Sequence, residues 1–259
     1  MTLSIHKWHR RGSRAPKKFI ASLASWLIVA PLLSLIALTT TAESANAATV
    51  GSGNCVQDVG NASVVSVTQV GSDCLITFTS STSWTIPTGA TSVRVLIVGG
   101  GAGGGADGGG GGGGGGILTG SSITSVPGTN ANIVVGSGGG SGGNGAASQL
   151  DLDGNSSYEW IAPGGVAGTG WSTRTGGSGG SPTIFPNGGA STSGGRGGDG
   201  PTSTSSQQAA SNSGLGDGAK SDITGNWLYF GGGGGGGIGA QANNSAGAAI
   251  ASARGGAGG

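Results

Sequence analysis

Short stretches in which apolar and polar residues take turns are separated by long tracts of glycine. Val64 to Val70 sets Val65 and Val67 against Ser66 and Thr68, and Leu75 to Thr79 alternates through Ile76 and Phe78. A period of two puts one set of side chains on a buried face, so both read as half-buried strands, joined at Gly71-Ser72-Asp73. Trp84 and Ile86 alternate again before Pro87-Thr88-Gly89 turns the chain. Val93, Val95 and Ile97 then line one face, with Arg94, Leu96 and Val98 on the other. A strand apolar on both sides at its end is expected to be central or covered. Ile117 to Ile123 and Ala131 to Val135 are expected as an antiparallel pair about Pro127-Gly128. Ser148 to Leu152 and Tyr158 to Ile161 form a second expected hairpin about Asp153-Gly154-Asn155. Beyond Pro163 the signal fades to apolar islands: Trp171, Ile184-Phe185 and Trp227-Leu228-Tyr229-Phe230. No convincing amphipathic helix follows residue 47.

Composition sharpens this picture. Glycine supplies 63 of 259 residues and charged residues only 8%, against ordinary values of about 7% and about 25%. Without a G-X-Y period such a chain usually reads as low-complexity or disordered. The strand runs and Trp84, Trp160, Trp171 and Trp227 point the other way. The tracts recur at Gly99–Gly116, Gly136–Gly145, Gly164–Gly180, Gly188–Gly200 and Gly231–Gly239, spacings that let one chain fold back several times. Glycine is costly to order and brings no side chain to a core. It does allow close approach of helices with three residues per turn, of the polyproline II type, whose N–H and C=O groups then need partners on neighbouring tracts.

Residues 1–47 have the parts of a secretory signal: a basic region ending at Lys18, an apolar region from Phe19 to Leu38, and Ala45-Asn46-Ala47 as a small-residue cleavage site. An uncleaved membrane anchor is the competing reading, because the apolar region is near spanning length. Pro31, three serines and the Ala-x-Ala site favour cleavage. Arg10-Arg11 is discounted as a twin-arginine signal because Gly-Ser-Arg-Ala follows it. Six basic residues lie in this segment. Beyond it five basic residues stand against nine acidic ones, a net of −4, and no basic patch remains for a nucleic acid. Both histidines, His6 and His9, belong to the segment, so imidazole chemistry is excluded from the processed chain. Its carboxylates are scattered, with no paired acid and base.

Cys55 and Cys74 fit an exported disulfide; two free thiols is the alternative. Gly99, Gly101 and Gly104 satisfy G-x-G-x-x-G after a strand, but the glycines that follow cannot make the helix that a dinucleotide needs, and an exported chain has little access to one. No cofactor is expected. Asp151, Asp153 and Asn155 imitate the start of a calcium loop, yet Ser156 and Ala162 stand where Gly and Glu are required. A hairpin turn is the better account, with the three residues a weak metal candidate. Trp171, Trp227 and Tyr229 either form an aromatic platform for a sugar or partner surface, or cap the packing of the domain.

The run Trp84-Thr85-Ile86-Pro87-Thr88-Gly89, then Val93-Arg94-Val95-Leu96-Ile97-Val98 and Gly99-Gly100-Gly101, resembles a bacterial secreted glycine-rich domain family. Gly116-Ile117-Leu118-Thr119-Gly120, Pro127-Gly128 and Ile133-Val134-Val135-Gly136 continue the resemblance, which covers roughly residues 74–259. More distantly the chain is similar to the glycine-rich regions of phage tail-tip adhesins and of the anaplastic lymphoma kinase ectodomain. The resemblance implies a β-sandwich joined to packed polyglycine II helices, and a role in recognition or structure without catalysis. It carries over no site residue.

The expectation is a mainly β protein: a signal peptide with its helix at 1–47, N-terminal β-strands with a disulfide at 48–98, and a glycine-rich domain with interspersed hairpins at 99–259. An antiparallel, jelly-roll-like sandwich joins a polyglycine II-like bundle. The expected role is structural or adhesive at the cell surface, with a surface polysaccharide or another surface protein as partner. It contacts membrane only if the signal stays uncleaved. A disordered matrix or linker polymer is the alternative, and a secreted carboxylate-based hydrolase a third.

Overall fold

The computed structural model describes residues 1–5, 48–50, 55, 57–60, 65–106, 109–170, 172–183, 189–199 and 218–234. The apolar region of the expected signal helix lies outside them. Among the described residues the chain is mainly β, without a helix, and every strand pairing is antiparallel.

The strands are β1 (Thr2–Ile5), β2 (Ala48–Val50), β3 (Gln57–Val59), β4 (Val65–Val70), β5 (Asp73–Phe78), β6 (Thr82–Thr85) and β7 (Ser92–Val98). After the first glycine tract come β8 (Ile117–Thr124), β9 (Asn130–Val134), β10 (Ser148–Asp151), β11 (Trp160–Ala162), β12 (Gly189–Thr192), β13 (Ala219–Ser221) and β14 (Leu228–Phe230). One six-stranded sheet runs β12-β8-β7-β1-β5-β4, and a second runs β11-β10-β9-β6-β3-β2. Both draw strands from either side of residue 98, so the change of composition there does not divide the sheets.

Alternation decides which residues meet between the sheets. Leu3, Ile76, Phe78, Val93, Val95 and Ile97 of the first sheet share one core with Val59, Trp84, Ala131, Ile133, Leu150 and Trp160 of the second. Each large apolar side chain buried there contributes about 1.5–3 kcal/mol. Trp160 fits because residue 120 is glycine: a Cβ there would lie 2.7 Å from the indole ring. Trp84 donates its indole N–H to buried Gln57 at 3.1 Å. A disulfide between Cys55, just before β3, and Cys74 in β5 ties the two sheets together.

One expectation needs correction. The segments about Pro127-Gly128 do not pair with each other: β8 lies between β7 and β12, and β9 between β6 and β10. The turn carries the chain from one sheet to the other, because each segment's apolar set reaches the shared core from an opposite side. Thr2–Ile5 forms β1 between β5 and β7, with Leu3 fully buried.

The ladders run on into glycine, and there the bonding period changes from two to three. Gly99, Ala102 and Gly105 donate to Gly116, Gly113 and Gly110. Gly110, Gly113 and Gly116 donate in turn to Thr169, Val166 and Pro163. Gly111 and Gly114 donate to Gly198 and Gly195, while Gly177 and Gly180 donate to Gly111 and Gly114. Every third residue thus faces the same neighbour, and one tract is bonded to several others. Close approach depends on the missing side chain: a Cβ on Gly113 would lie 2.0 Å from the Ser178 carbonyl oxygen.

Candidate functional site

The hairpin β13–β14 lies over the outer face of the first sheet. Ile223 and Phe230 pack on Leu75, Leu96 and Ile117, which explains why β7 is apolar on both faces at its end. Arg94, on the outer face of β7, donates to Asp222 at 2.6 Å and pins the hairpin loop. Both side chains are partly exposed, so the pair contributes less than about 1 kcal/mol by itself.

Between hairpin and sheet lies an open cavity of about 270 Å³, lined by Arg94, Thr119, Ser121, Lys220, Asp222 and Trp227, among others. Trp227, which lines it, is 63% exposed, and Leu228 and Tyr229 next along the chain are 47% and 42% exposed. Exposed aromatics at that level depart from ordinary surface usage and mark a place where an apolar face meets water. The Lys220 ammonium stands 5.3 Å from the centroid of the Trp227 ring and 5.8 Å from that of Tyr229, within cation–π range. The cross-strand register sets this trio, since Lys220 pairs with Tyr229. The site therefore offers ring faces, an ammonium and hydroxyl groups, a set suited to binding.

Of the three aromatics singled out in the sequence, Trp227 and Tyr229 come together and Trp171 lies outside the described residues. Lys220 and Arg94 were missed. The pattern Lys220-x-Asp222 before Gly225 and Trp227-x-Tyr229 was the available signal, but three-residue strands alternate too briefly to stand out.

The turn between β10 and β11 gathers the second set of candidates. Carboxylate oxygens of Asp151, Asp153 and Glu159 lie within 4.8 Å of one another. Asn155, the third expected ligand, instead donates its side-chain amide to Asp153 at 2.8 Å and accepts from the Ser157 N–H at 2.7 Å. Buried Asp151 accepts from Asn132 at 2.9 Å, Gly154 N–H at 2.7 Å and Ser156 N–H at 2.9 Å. Those donors fix a loop in which Gly154 (φ 69°) and Ser156 (φ 70°) both take the left-handed conformation. Burial acts to raise the Asp151 pKa, but the bonds from Asn132, Ser156 and Gly154 outweigh it and hold the carboxyl below its ordinary value. Burial, aided by the charges of Asp153 and Asp151, pushes Glu159 up. The donor set reads first as a stapled turn, with oxygen ligands of the kind a hard cation accepts.

Asp199 does a related job among the glycine tracts. It accepts from Gly176 N–H at 2.7 Å and from Arg196 at 2.5 Å. The Gly176 bond, with help from Arg196 and against burial, lowers its pKa. The Gly99, Gly101 and Gly104 decoy runs in an extended tract bonded to its neighbours, so the helix N-terminus that phosphate binding requires does not follow it.

Antiparallel sheets continuous with mutually bonded glycine tracts define a mainly β, glycine-rich protein. The family model described as "Glycine-rich domain" matches residues 77–259, and the chain belongs to that family. No curated protein and no solved structure matches the chain.

Proposed function

We propose that the chain is an exported, non-enzymatic surface protein with a structural or adhesive role. Its body is a jelly-roll-like β-sandwich carrying a polyglycine II-type bundle, and the Trp227–Tyr229–Lys220 margin takes a surface polysaccharide. The observation that carries the adhesive part is the exposed aromatic pair beside an open, hydroxyl-lined cavity. Aromatic rings cover the C–H faces of pyranoses, and the cavity supplies polar groups that fix orientation. Bonding at every third residue, from one tract to several others, supports the bundle over a disordered polymer. The leader grammar of residues 1–47 and the disulfide support export.

The test is co-sedimentation of the full chain with insoluble cell-wall and capsular polysaccharides, followed by titration with the best soluble fragment. Trp227→Ala and Tyr229→Ala are expected to weaken binding about tenfold each, the loss of about 1.4 kcal/mol of ring contact, with melting temperature unchanged. Polysaccharide binding that ignores both substitutions would move the site elsewhere. Absence of binding would leave the structural role alone.

A further inference from the structure

The cavity under the β13–β14 hairpin holds one cation more than it holds anions. We propose that the sugar taken there is acidic: a uronic acid residue whose carboxylate is bound by the Lys220 ammonium while its ring rests against Trp227. This rests on the polysaccharide reading above and names the class of sugar.

Three charged side chains line the cavity: Arg94, Lys220 and Asp222. Asp222 accepts from Arg94 at 2.6 Å, so those two charges cancel. Lys220 is the remainder. It is exposed, and among the described residues its ammonium belongs to no ion pair. It stands instead 5.3 Å from the centroid of the Trp227 ring and 5.8 Å from that of Tyr229. Ring quadrupoles hold an ammonium in place, but they leave its charge unneutralised and its N–H donors open to a ligand. The surroundings have the other sign: beyond residue 47, five basic residues stand against nine acidic ones. That net charge opposes unspecific capture of a polyanion, and salt at 0.1 M screens it over about 10 Å. Attraction for an acid is therefore local to this cavity.

The groups in place select among ligands. A neutral sugar would use the indole ring and the Thr119 and Ser121 hydroxyls and leave the ammonium idle. A small carboxylate would meet the ammonium and leave the ring uncovered. A uronic acid satisfies both. Its pyranose offers a C–H face to the indole and hydroxyls to the cavity, and its carboxylate projects from the ring edge. A sugar seated against Trp227 thus presents that carboxylate to an ammonium already held beside the same ring. The resulting N–H···O bond is charge-assisted, stronger than a bond between neutral groups. Asp222 does not oppose it, because Arg94 neutralises that carboxylate.

The experiment titrates the full chain with oligogalacturonate and with its methyl ester, which keeps rings and hydroxyls and removes the charge. The acid is expected to bind about tenfold more tightly at about 0.05 M salt. At about 0.5 M the advantage is expected to fall to about threefold or less. Lys220→Met keeps the apolar stem; it is expected to abolish the preference and to bind the ester as the native chain does. Lys220→Arg is expected to retain the preference, and Trp227→Ala to weaken acid and ester alike. Equal binding of acid and ester by the native chain would overturn the proposal and leave a neutral polysaccharide standing. A preference that survives Lys220→Met overturns it by placing charge recognition elsewhere. Loss of ester binding in Lys220→Met overturns it too, since Lys220 would then only hold the rings. Should that variant aggregate, Lys220→Gln gives the same reading. Poly(glycerol phosphate) supplies charge without a sugar ring, and binding as tight as that of oligogalacturonate would refute the ring contact. If neither galacturonate binds while a neutral polysaccharide does, the acidic class is wrong and the polysaccharide reading stands; if no polysaccharide binds, both fall.

Discussion

Replacing single glycines by alanine separates packed tracts from free ones. Gly113 sits inside the array: its N–H donates to Val166 at 2.9 Å and its carbonyl accepts from Ala102 at 2.9 Å. A Cβ there would stand 2.0 Å from the Ser178 carbonyl oxygen and 2.4 Å from its carbon. To reach even a tight contact the two tracts must part by about 1 Å, which close-packed interiors resist. The bonds from Gly177 to Gly111 and from Gly180 to Gly114, at 2.8 and 2.9 Å, bind those same tracts and would stretch together. Two weakened bonds plus overpacking amount to about 3 kcal/mol, or roughly 6–12 °C in melting temperature for a chain of this size. Gly140 is the control, because a Cβ there meets nothing within 4 Å. Gly140→Ala should leave stability unchanged or raise it by about 0.4–1 kcal/mol through the unfolded chain. Thermal melts of the two variants, with exchange of the Gly177 and Gly180 amides, decide it. Equal melting temperatures would refute ordered packing and return the tracts to a solvated polymer.

The other predictions concern the clasps. Replacing Cys55 and Cys74 together by serine should cost about 3 kcal/mol, the entropy of a loop with a separation of 19 residues, read as a shift of the denaturant midpoint that reducing agent reproduces in the native chain. Asp151→Asn turns an acceptor toward donors it cannot satisfy and should cost about 1–3 kcal/mol at neutral pH. Because its folded pKa lies below the ordinary value, the contribution of Asp151 is present above that value and is lost as pH falls through the folded pKa, so the variant and the native chain should converge in acid. Glu159 has the opposite sign: its pKa is raised, so its charge penalises the fold from the ordinary glutamate range upward, in full once pH exceeds the folded value. Glu159→Gln should therefore stabilise by about 0.5 kcal/mol at neutral pH and gain nothing below the ordinary glutamate range. Denaturation curves across pH test both, and parallel curves would show that neither carboxylate is coupled to folding.

Much of the scaffold was legible because two-residue alternation is a direct image of a sheet with one buried face. Val65/Val67, Ile76/Phe78 and Val93/Val95/Ile97 were read as strands and lie in β4, β5 and β7. Strand partners were less legible, since alternation states which face is apolar and nothing about which edge is adjacent. That is why β8 and β9 were expected to pair and instead enter different sheets. β1 was hidden for another reason: Thr2–Ile5 is too short to register beside the charge and hydropathy pattern of residues 1–47. In the candidate site the exposed aromatics stood out by rarity, whereas Lys220 acquired meaning only from the register that places it opposite Tyr229. Glu159 joined the acidic turn for the same reason, being brought back by the hairpin.

The glycine tracts cannot be understood apart from the sheets. Ordering each residue costs roughly 1–2 kcal/mol in backbone entropy, and more for glycine, while each hydrogen bond returns about 1 kcal/mol net. Tracts of this kind bury almost no apolar side chain, so left alone they lose that balance. Here their ends are already fixed. Val98 pairs with Ile117 and Gly99 donates to Gly116 one step further; Val134 pairs with Gln149 and Ala146 donates to Ser137 beyond it. Ser148 spans the junction, donating to the Val98 carbonyl at 2.7 Å and accepting from Gly136 N–H at 2.9 Å. These two tracts thus begin as extensions of ladders whose cost the apolar core has met, and the loop to be closed is short. The family match over residues 77–259 takes in β6 to β14 together with the tracts. Loosening the core at Trp84 or Trp160 should therefore unfold the glycine array in the same transition, and a calorimetric trace with two separable transitions would break the link.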